Sequence, residues 1–207
     1  MPHKLNTSDA DFDARFDRFA RAKREPEAAL SDTVRDIIAR VRRDGDAALF
    51  ALTEQFDRTR LDAETIRLPA ADIRAARKTL DRPVLEALRL AADRICTFHE
   101  AMLPSSRRFT DEAGVEMGFR WGPVDAAGIY VPGGTAVYPS CVLMNAMPAR
   151  VAGVERLAMT VPTPDGKISP LLLAAADVAG VDEIYRVGGA QAIAALAFGT
   201  ESIAPVD

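Results

Sequence analysis

The stretch Gly128-Ile129-Tyr130-Val131-Pro132-Gly133-Gly134-Thr135 decides the fold. An apolar run over residues 126–131 breaks on a Pro-Gly-Gly turn, and past Pro139 an apolar segment of helical length follows. That is the order strand, glycine loop, helix. It recurs twice downstream. Residues 156–161 stop at Pro162 and lead to Ser169-Pro170-Leu171, where serine suits a helix N-cap and proline the first helical position. Residues 183–187 stop at Gly188-Gly189 and open an alanine-rich helix over 190–198, closed by Gly199. Consecutive strand-helix units predict an α/β fold with a parallel sheet and crossover helices.

In an open parallel sheet the loops leaving the carboxyl ends of the strands share one edge, and ligands bind along it. Here those loops are 132–139, 162–169 and 188–191. Two of them carry adjacent glycines, which allow positive φ and let a ligand approach the backbone. The third helix begins straight after its glycines, so free N–H groups and the positive end of a helix dipole face the same edge. An anionic or dinucleotide ligand suits such an edge. No G-x-G-x-x-G is present, so the usual dinucleotide fingerprint gives no support. The alternative is that the glycines only permit tight turns.

Upstream the pattern changes. Residues 1–30 are charged, with Phe12, Phe16 and Phe19 at helical spacing, which predicts a short amphipathic helix packed on the chain's own core or on a neighbour. Ser31 can cap a helix whose Val34, Ile37, Ile38 and Val41 share one face, and Gly45 interrupts that pattern before Leu49, Phe50, Leu52 and Phe56. Ile66 and Leu68 suggest a short strand. Asp81 with Pro83 opens a longer helix with a stripe of Leu85, Leu88, Ala92, Ile95, His99 and Met102, in which His99 reads as a packing residue. Val115, Met117, Phe119 and Trp121 alternate with Glu116, Gly118 and Arg120, the period of a strand with one buried face. With Phe109-Thr110 and a turn at Gly114 they predict a hairpin that places Trp121 in the core. Gly122-Pro123 then divides a mainly helical region with a hairpin, residues 1–122, from the strand-helix units of residues 123–207.

Composition narrows the function. Hydrophobic residues make up 48% of the 207 positions and charged ones 27%, with a net charge of −4. That mildly acidic balance, without a basic stripe, argues against nucleic acid as a partner. Asp, Arg, Pro or Gly interrupt the apolar stretches before the roughly 18 residues that a membrane span needs. The first residues show no apolar signal region. Cys96 and Cys141 lack metal or redox spacing and read as reduced thiols of a cytoplasmic protein. Cys141, near a helix start, has no histidine close in sequence to act as its base. With only His3 and His99, no H-E-x-x-H and no Ser-His-Asp set, no catalytic or metal-binding residue is assigned. Residues 201–206 read as the approach to a fourth strand, which predicts an incomplete sheet with an uncapped edge.

Three blocks carry a family resemblance. They are Gly128-Ile129-Tyr130-Val131-Pro132-Gly133-Gly134; Ser140-Cys141-Val142-Leu143-Met144 with Ala146-Met147-Pro148-Ala149; and Val187-Gly188-Gly189-Ala190-Gln191-Ala192-Ile193-Ala194-Ala195-Leu196-Ala197-Phe198-Gly199-Thr200-Glu201. Together with Val41-Arg42-Arg43-Asp44-Gly45-Asp46-Ala47-Ala48-Leu49 and Phe98-His99, they resemble histidinol dehydrogenase, over about the N-terminal half of a member. The resemblance implies a Rossmann-like, aldehyde dehydrogenase-like α/β fold, here truncated. It implies a zinc enzyme of histidine biosynthesis that oxidises L-histidinol through L-histidinaldehyde to L-histidine with two NAD molecules, as a cytoplasmic homodimer. Tyr130 and Gln191 match the family's NAD contacts. The zinc ligands and the acid-base pair are expected beyond Asp207, so the chain alone is expected to be inactive. The alternative is a non-catalytic nucleotide- or anion-binding module.

Overall fold

The structure, a computed structural model, describes residues 4–22, 28–133 and 137–207. His3, and Gly134 and Thr135 of the Pro-Gly-Gly turn, lie outside them. In chain order the elements are α1 (Phe12–Ala22), α2 (Ala28–Asp57), α3 (Ala70–Ala76), α4 (Arg82–Glu100), β1 (Arg107–Thr110), β2 (Glu116–Phe119), β3 (Ala126–Tyr130), α5 (Pro139–Ala152), β4 (Arg156–Thr160), α6 (Pro170–Val178), β5 (Glu183–Tyr185) and α7 (Gly189–Phe198).

The three predicted strand-helix units form a parallel sheet in the order β3-β4-β5. Tyr130 is level with Thr160, and Thr160 with Tyr185, so the strands end on one rim. Each crossover carries the helix signals read in the sequence. Pro139 and Pro170 sit in the first turns of α5 and α6, and Gly153 ends α5 in the left-handed region at φ 94°. Pro148 falls inside α5.

Alternate strand residues divide the core in two. Ile129, Leu157, Met159 and Ile184 pack with α5 and α6, backed by Ile73 of α3 and Leu88 and Ala92 of α4. On the opposite face Ala158, Tyr185 and Val187 meet Val41, Leu49 and Leu52 of α2 and Ala192, Ala195 and Leu196 of α7. The middle strand is therefore covered on both sides, which is why residues 157–161 are apolar almost without alternation.

Bonds from outside the three strands reach both outer edges of the sheet, which corrects the expectation of an uncapped edge. Along the outer edge of β5 the Leu68 N–H donates to the Ile184 carbonyl and the Arg186 N–H to the Ile66 carbonyl, each at 2.8 Å. Arg67 thereby bridges Tyr185 in antiparallel sense, the form taken by the short strand read at Ile66 and Leu68. Along the outer edge of β3 the Asp207 N–H donates to the Ala126 carbonyl at 3.2 Å. The Asp207 carboxylate accepts the Asp125 and Ala126 N–H groups, both at 2.9 Å. Residues 201–206 are not a strand. They turn on a Thr200 N–H to Ile203 carbonyl bond of 2.8 Å and bring the chain back to β3.

Gly45 breaks α2 as predicted, at φ 55° and ψ −133°, and the break has a partner. The Asp46 N–H freed there donates to the Glu201 carboxylate at 2.8 Å, and the Asp46 carboxylate in turn accepts the Ser202 N–H at 3.3 Å. A Cβ at Gly45 would lie 2.5 Å from a Glu201 carboxylate oxygen. This joint seats α2 on α7.

The hairpin forms as an antiparallel pair, Arg107 opposite Phe119 through Thr110 opposite Glu116. Its predicted buried face does not. Every residue of β1 and β2 is exposed, and Trp121 is 59% exposed rather than in the core. The alternation marks a face suited to burial, but no layer of the described residues covers it. The α4 stripe is likewise partial: Leu88 and Ala92 are buried, while Met102 lies past the helix end and is exposed.

Candidate functional site

The chain leaves β3 and β4 by helices on one face of the sheet and leaves β5 by α7 on the other, returning to the outer edge of β3 at Ala126. Connections departing on opposite faces make a switch point at the carboxyl end of β3, the place where open α/β sheets bind ligands. Tyr130 is the last residue of that strand.

Tyr130 packs against the α2–α7 layer, and its hydroxyl accepts the Gly189 N–H at 3.3 Å. It thus satisfies one of the N–H groups that the start of α7 leaves without a helical partner. Gln191, in the first turn of α7, is 1% exposed, and its Oε1 is buried without a donor. The side chain folds back over Gly189, which sits at φ 66°, and a Cβ there would come within 2.5 Å of the Gln191 Oε1. A buried acceptor left unpaired costs about 1–3 kcal/mol, so the fold keeps an unused hydrogen-bonding position beside Tyr130. The structure therefore places both sequence-predicted residues on one rim, linked through Gly189.

The glycines have a second reason to be there. A Cβ at Gly133 would overlap the Pro162 carbonyl oxygen, and one at Gly188 would overlap the Pro162 ring. Pro162, at the end of the middle strand, is a wedge on which both flanking loops close. On its α6 side lies a cavity of about 220 Å³ lined by Gly133, Val137, Pro162, Ser169 and Leu172. Tyr130 and Gln191 do not line it.

A polar cluster holding that middle loop was not legible in the sequence. The Thr59 hydroxyl donates to the Thr163 carbonyl at 2.8 Å and accepts the Gly166 N–H at 2.9 Å. Arg58 and Asp165, both at φ 54°, pair through two bonds of 2.8 and 3.0 Å. The buried Asp57 carboxylate takes a backbone bond from Thr163, yet burial raises its pKa above the ordinary carboxylate value, and its Oδ2 has no partner. The partners are about a hundred residues apart, so no local spacing announces them. The Asp57-Arg58-Thr59 run at the end of a helix was the one available signal.

The remaining candidates stand apart from the rim. Cys96 and Cys141 are free thiols, and burial chiefly raises the Cys96 pKa. His99 packs edge-on against the Phe98 ring at 5.2 Å. Among the described residues no three His, Cys, Asp or Glu side chains gather as a metal would need, and no helix is long and apolar enough to cross a membrane.

A parallel sheet wound on both faces, with a tyrosine, an unpaired glutamine and a helix start meeting at its switch point, defines an α/β protein of the ligand-binding-rim class. Comparison with known proteins narrows this. The family model described as histidinol dehydrogenase matches residues 20–207, and the chain belongs to that family. The histidinol dehydrogenase of Bradyrhizobium diazoefficiens is 59% identical over 206 residues, covering 100% of this chain and 48% of that protein. That of Mesorhizobium japonicum is 57% identical over the same length, with the same coverage. The crystal structure of histidinol dehydrogenase from Elizabethkingia anophelis superposes with a TM-score of 0.82 at 32% identity, over 88% of this chain and 42% of that one.

The chain spans about half the length of the curated relatives it matches. Two expectations are corrected. The expectation of an inactive chain with an uncapped sheet gives way to the family match over residues 20–207, within which bonds reach both outer edges of the sheet. The alternative of a non-catalytic nucleotide- or anion-binding module gives way to the same family match.

Proposed function

We propose that the chain serves the NAD-dependent oxidation of L-histidinol to L-histidine, in the cytoplasm and as a homodimer, and that Tyr130 and Gln191 hold the dinucleotide. The observation that carries this reading is the buried, unpaired Gln191 Oε1 beside the start of α7, next to Tyr130 at the switch point. NAD supplies the hydride acceptor. The residues present fit it: Gln191 offers an acceptor to an amide or hydroxyl, Tyr130 an aromatic face, and the first turn of α7 its N–H groups and positive dipole end. Gln191 is fully packed beside them, while Tyr130 is half-buried and Gly189 exposed, so the rim meets solvent at the tyrosine and the helix start. Zinc is different. The described residues do not assemble a ligand set for it, so no part of the site's chemistry is given to a metal.

Gln191→Met tests the reading. Removing the unpaired amide at nearly constant volume leaves the fold as stable or more so, because an unsatisfied buried acceptor disappears. NAD affinity, measured by calorimetry, should fall about tenfold or more, the loss expected for one buried hydrogen bond. Unchanged NAD binding in Gln191→Met, or no saturable NAD binding by the parent chain, would sink it.

A further inference from the structure

We infer that Thr59 is a positioning residue for the dinucleotide rim, acting through Pro162. This rests on the reading of the rim as an NAD site. Thr59 is buried at the end of α2 and contacts neither Tyr130 nor Gln191 by any hydrogen bond, yet its hydroxyl uses both its donor and an acceptor on the loop after β4. The donor goes to the Thr163 carbonyl, one residue past Pro162, and the acceptor to Gly166. A single side chain therefore fixes both ends of a four-residue turn, 163–166. Around it the Asp57 carboxylate takes the Thr163 backbone, and Arg58 takes Asp165.

What the turn fixes is the wedge. Pro162 fills the space that side chains at Gly133 and Gly188 would need, so each glycine loop lies in contact with it. Gly188 is followed directly by Gly189, whose N–H meets the Tyr130 hydroxyl and whose α-carbon lies under the Gln191 amide. A shift of Pro162 is passed on through packed backbone, which deforms little. Loss of the Thr59 bonds thus loosens the geometry that presents Tyr130 and Gln191 to a ligand. The α2 clamp, from the region before the first strand-helix unit, becomes part of the cofactor site without touching the cofactor.

Thr59→Val keeps the shape and removes both loop bonds, together with the hydroxyl's longer 3.2 Å contact to the Asp57 carbonyl; Thr59→Ser keeps the hydroxyl. Thr53→Val is the control, since Thr53 is also buried, lies within α2 and donates to the Leu49 carbonyl of its own helix. NAD affinity by calorimetry and amide exchange at Gly189 are read in each. Thr59→Val should weaken NAD binding and speed Gly189 exchange, each about fivefold to tenfold, as for one or two lost neutral hydrogen bonds. Thr59→Ser should restore both, while Thr53→Val should lose stability and leave both unchanged. Should Thr59→Val fail to fold, Arg58→Gly breaks the surface pair to Asp165 and should move Gly189 exchange the same way by a smaller factor. Gly189 exchange unmoved in these variants, or moved equally by Thr53→Val, overturns the inference. If the parent chain binds no NAD, the cofactor reading falls and the exchange data alone decide the clamp.

Discussion

The middle strand of the parallel sheet and the second strand of the hairpin make an instructive pair. Leu157 and Met159 in β4 are wholly buried beneath α5 and α6, whereas Met117 and Phe119 in β2 stay exposed despite a cleaner alternation of apolar and polar residues. Alternation describes one strand's own chemistry, and burial depends on which other elements arrive to cover it. The sharpest way to break this contrast is Leu157→Ala. Emptying a site in the middle of the larger core should cost about 3 kcal/mol of unfolding free energy, with 2–5 the usual range, measured by urea denaturation. A loss below about 0.5 kcal/mol would mean that the sheet is not the structural centre.

The Gly45–Glu201 joint shows the contrast at long range. Two sequence blocks 155 positions apart meet because Gly45 frees the Asp46 N–H and Glu201 accepts it. Gly45→Ala should destabilise the chain by about 1–3 kcal/mol, since it forces a side chain into positive φ and against the carboxylate. Glu201→Ala alone should cost about 1–2 kcal/mol for the stranded N–H. In the double variant the two losses should sum to more than the combined effect, because removing the carboxylate clears the space that the new methyl needs. Strict additivity in a double-mutant cycle would show that the two residues do not meet.

The clamp beneath the rim titrates. Burial holds the Asp57 carboxyl above its ordinary value, outweighing the Thr163 backbone bond and the charge of Arg58. The folded chain therefore binds that proton more tightly than the unfolded chain, so the stability this group contributes is present below the ordinary carboxylate pKa and is lost as pH rises through the raised one. Asp57→Asn should flatten that limb of a plot of denaturation midpoint against pH, leaving the acid end unchanged. A wild-type midpoint that instead rises over the same interval because of Asp57 would reverse the assignment.

How much of this was legible follows the reach of each interaction. The strand-helix order, the shared rim and the helix starts at Pro139, Pro170 and Gly189 are set by neighbours a few residues away, and the sequence carries them openly. The place of Tyr130 and Gln191 on one rim follows from that order. The edge cover by Ile66, Leu68 and Asp207, the Pro162 wedge and the Thr59 bonds depend on residues brought together only by the fold, so no local spacing announces them. Trp121 failed for the opposite reason, since an apolar ring reports a preference for burial and not the presence of a partner.

The smallest effect belongs to the hairpin. Phe119→Thr exchanges one good strand former for another, replacing an aromatic ring that is 52% exposed with a β-branched side chain, so strand propensity is retained and little buried apolar surface is lost. Its cost should lie within about 0.5 kcal/mol, against the several lost at Leu157. The Arg107–Glu116 region would still pair, because the ladder from Arg107–Phe119 to Thr110–Glu116 is made by backbone groups. Measuring the variant at two protein concentrations sharpens the comparison further. A loss that stays small at both shows that the apolar face of the hairpin is wet in solution, whereas a loss that grows with concentration shows that another copy covers it and that the alternation was read correctly but assigned to the wrong partner.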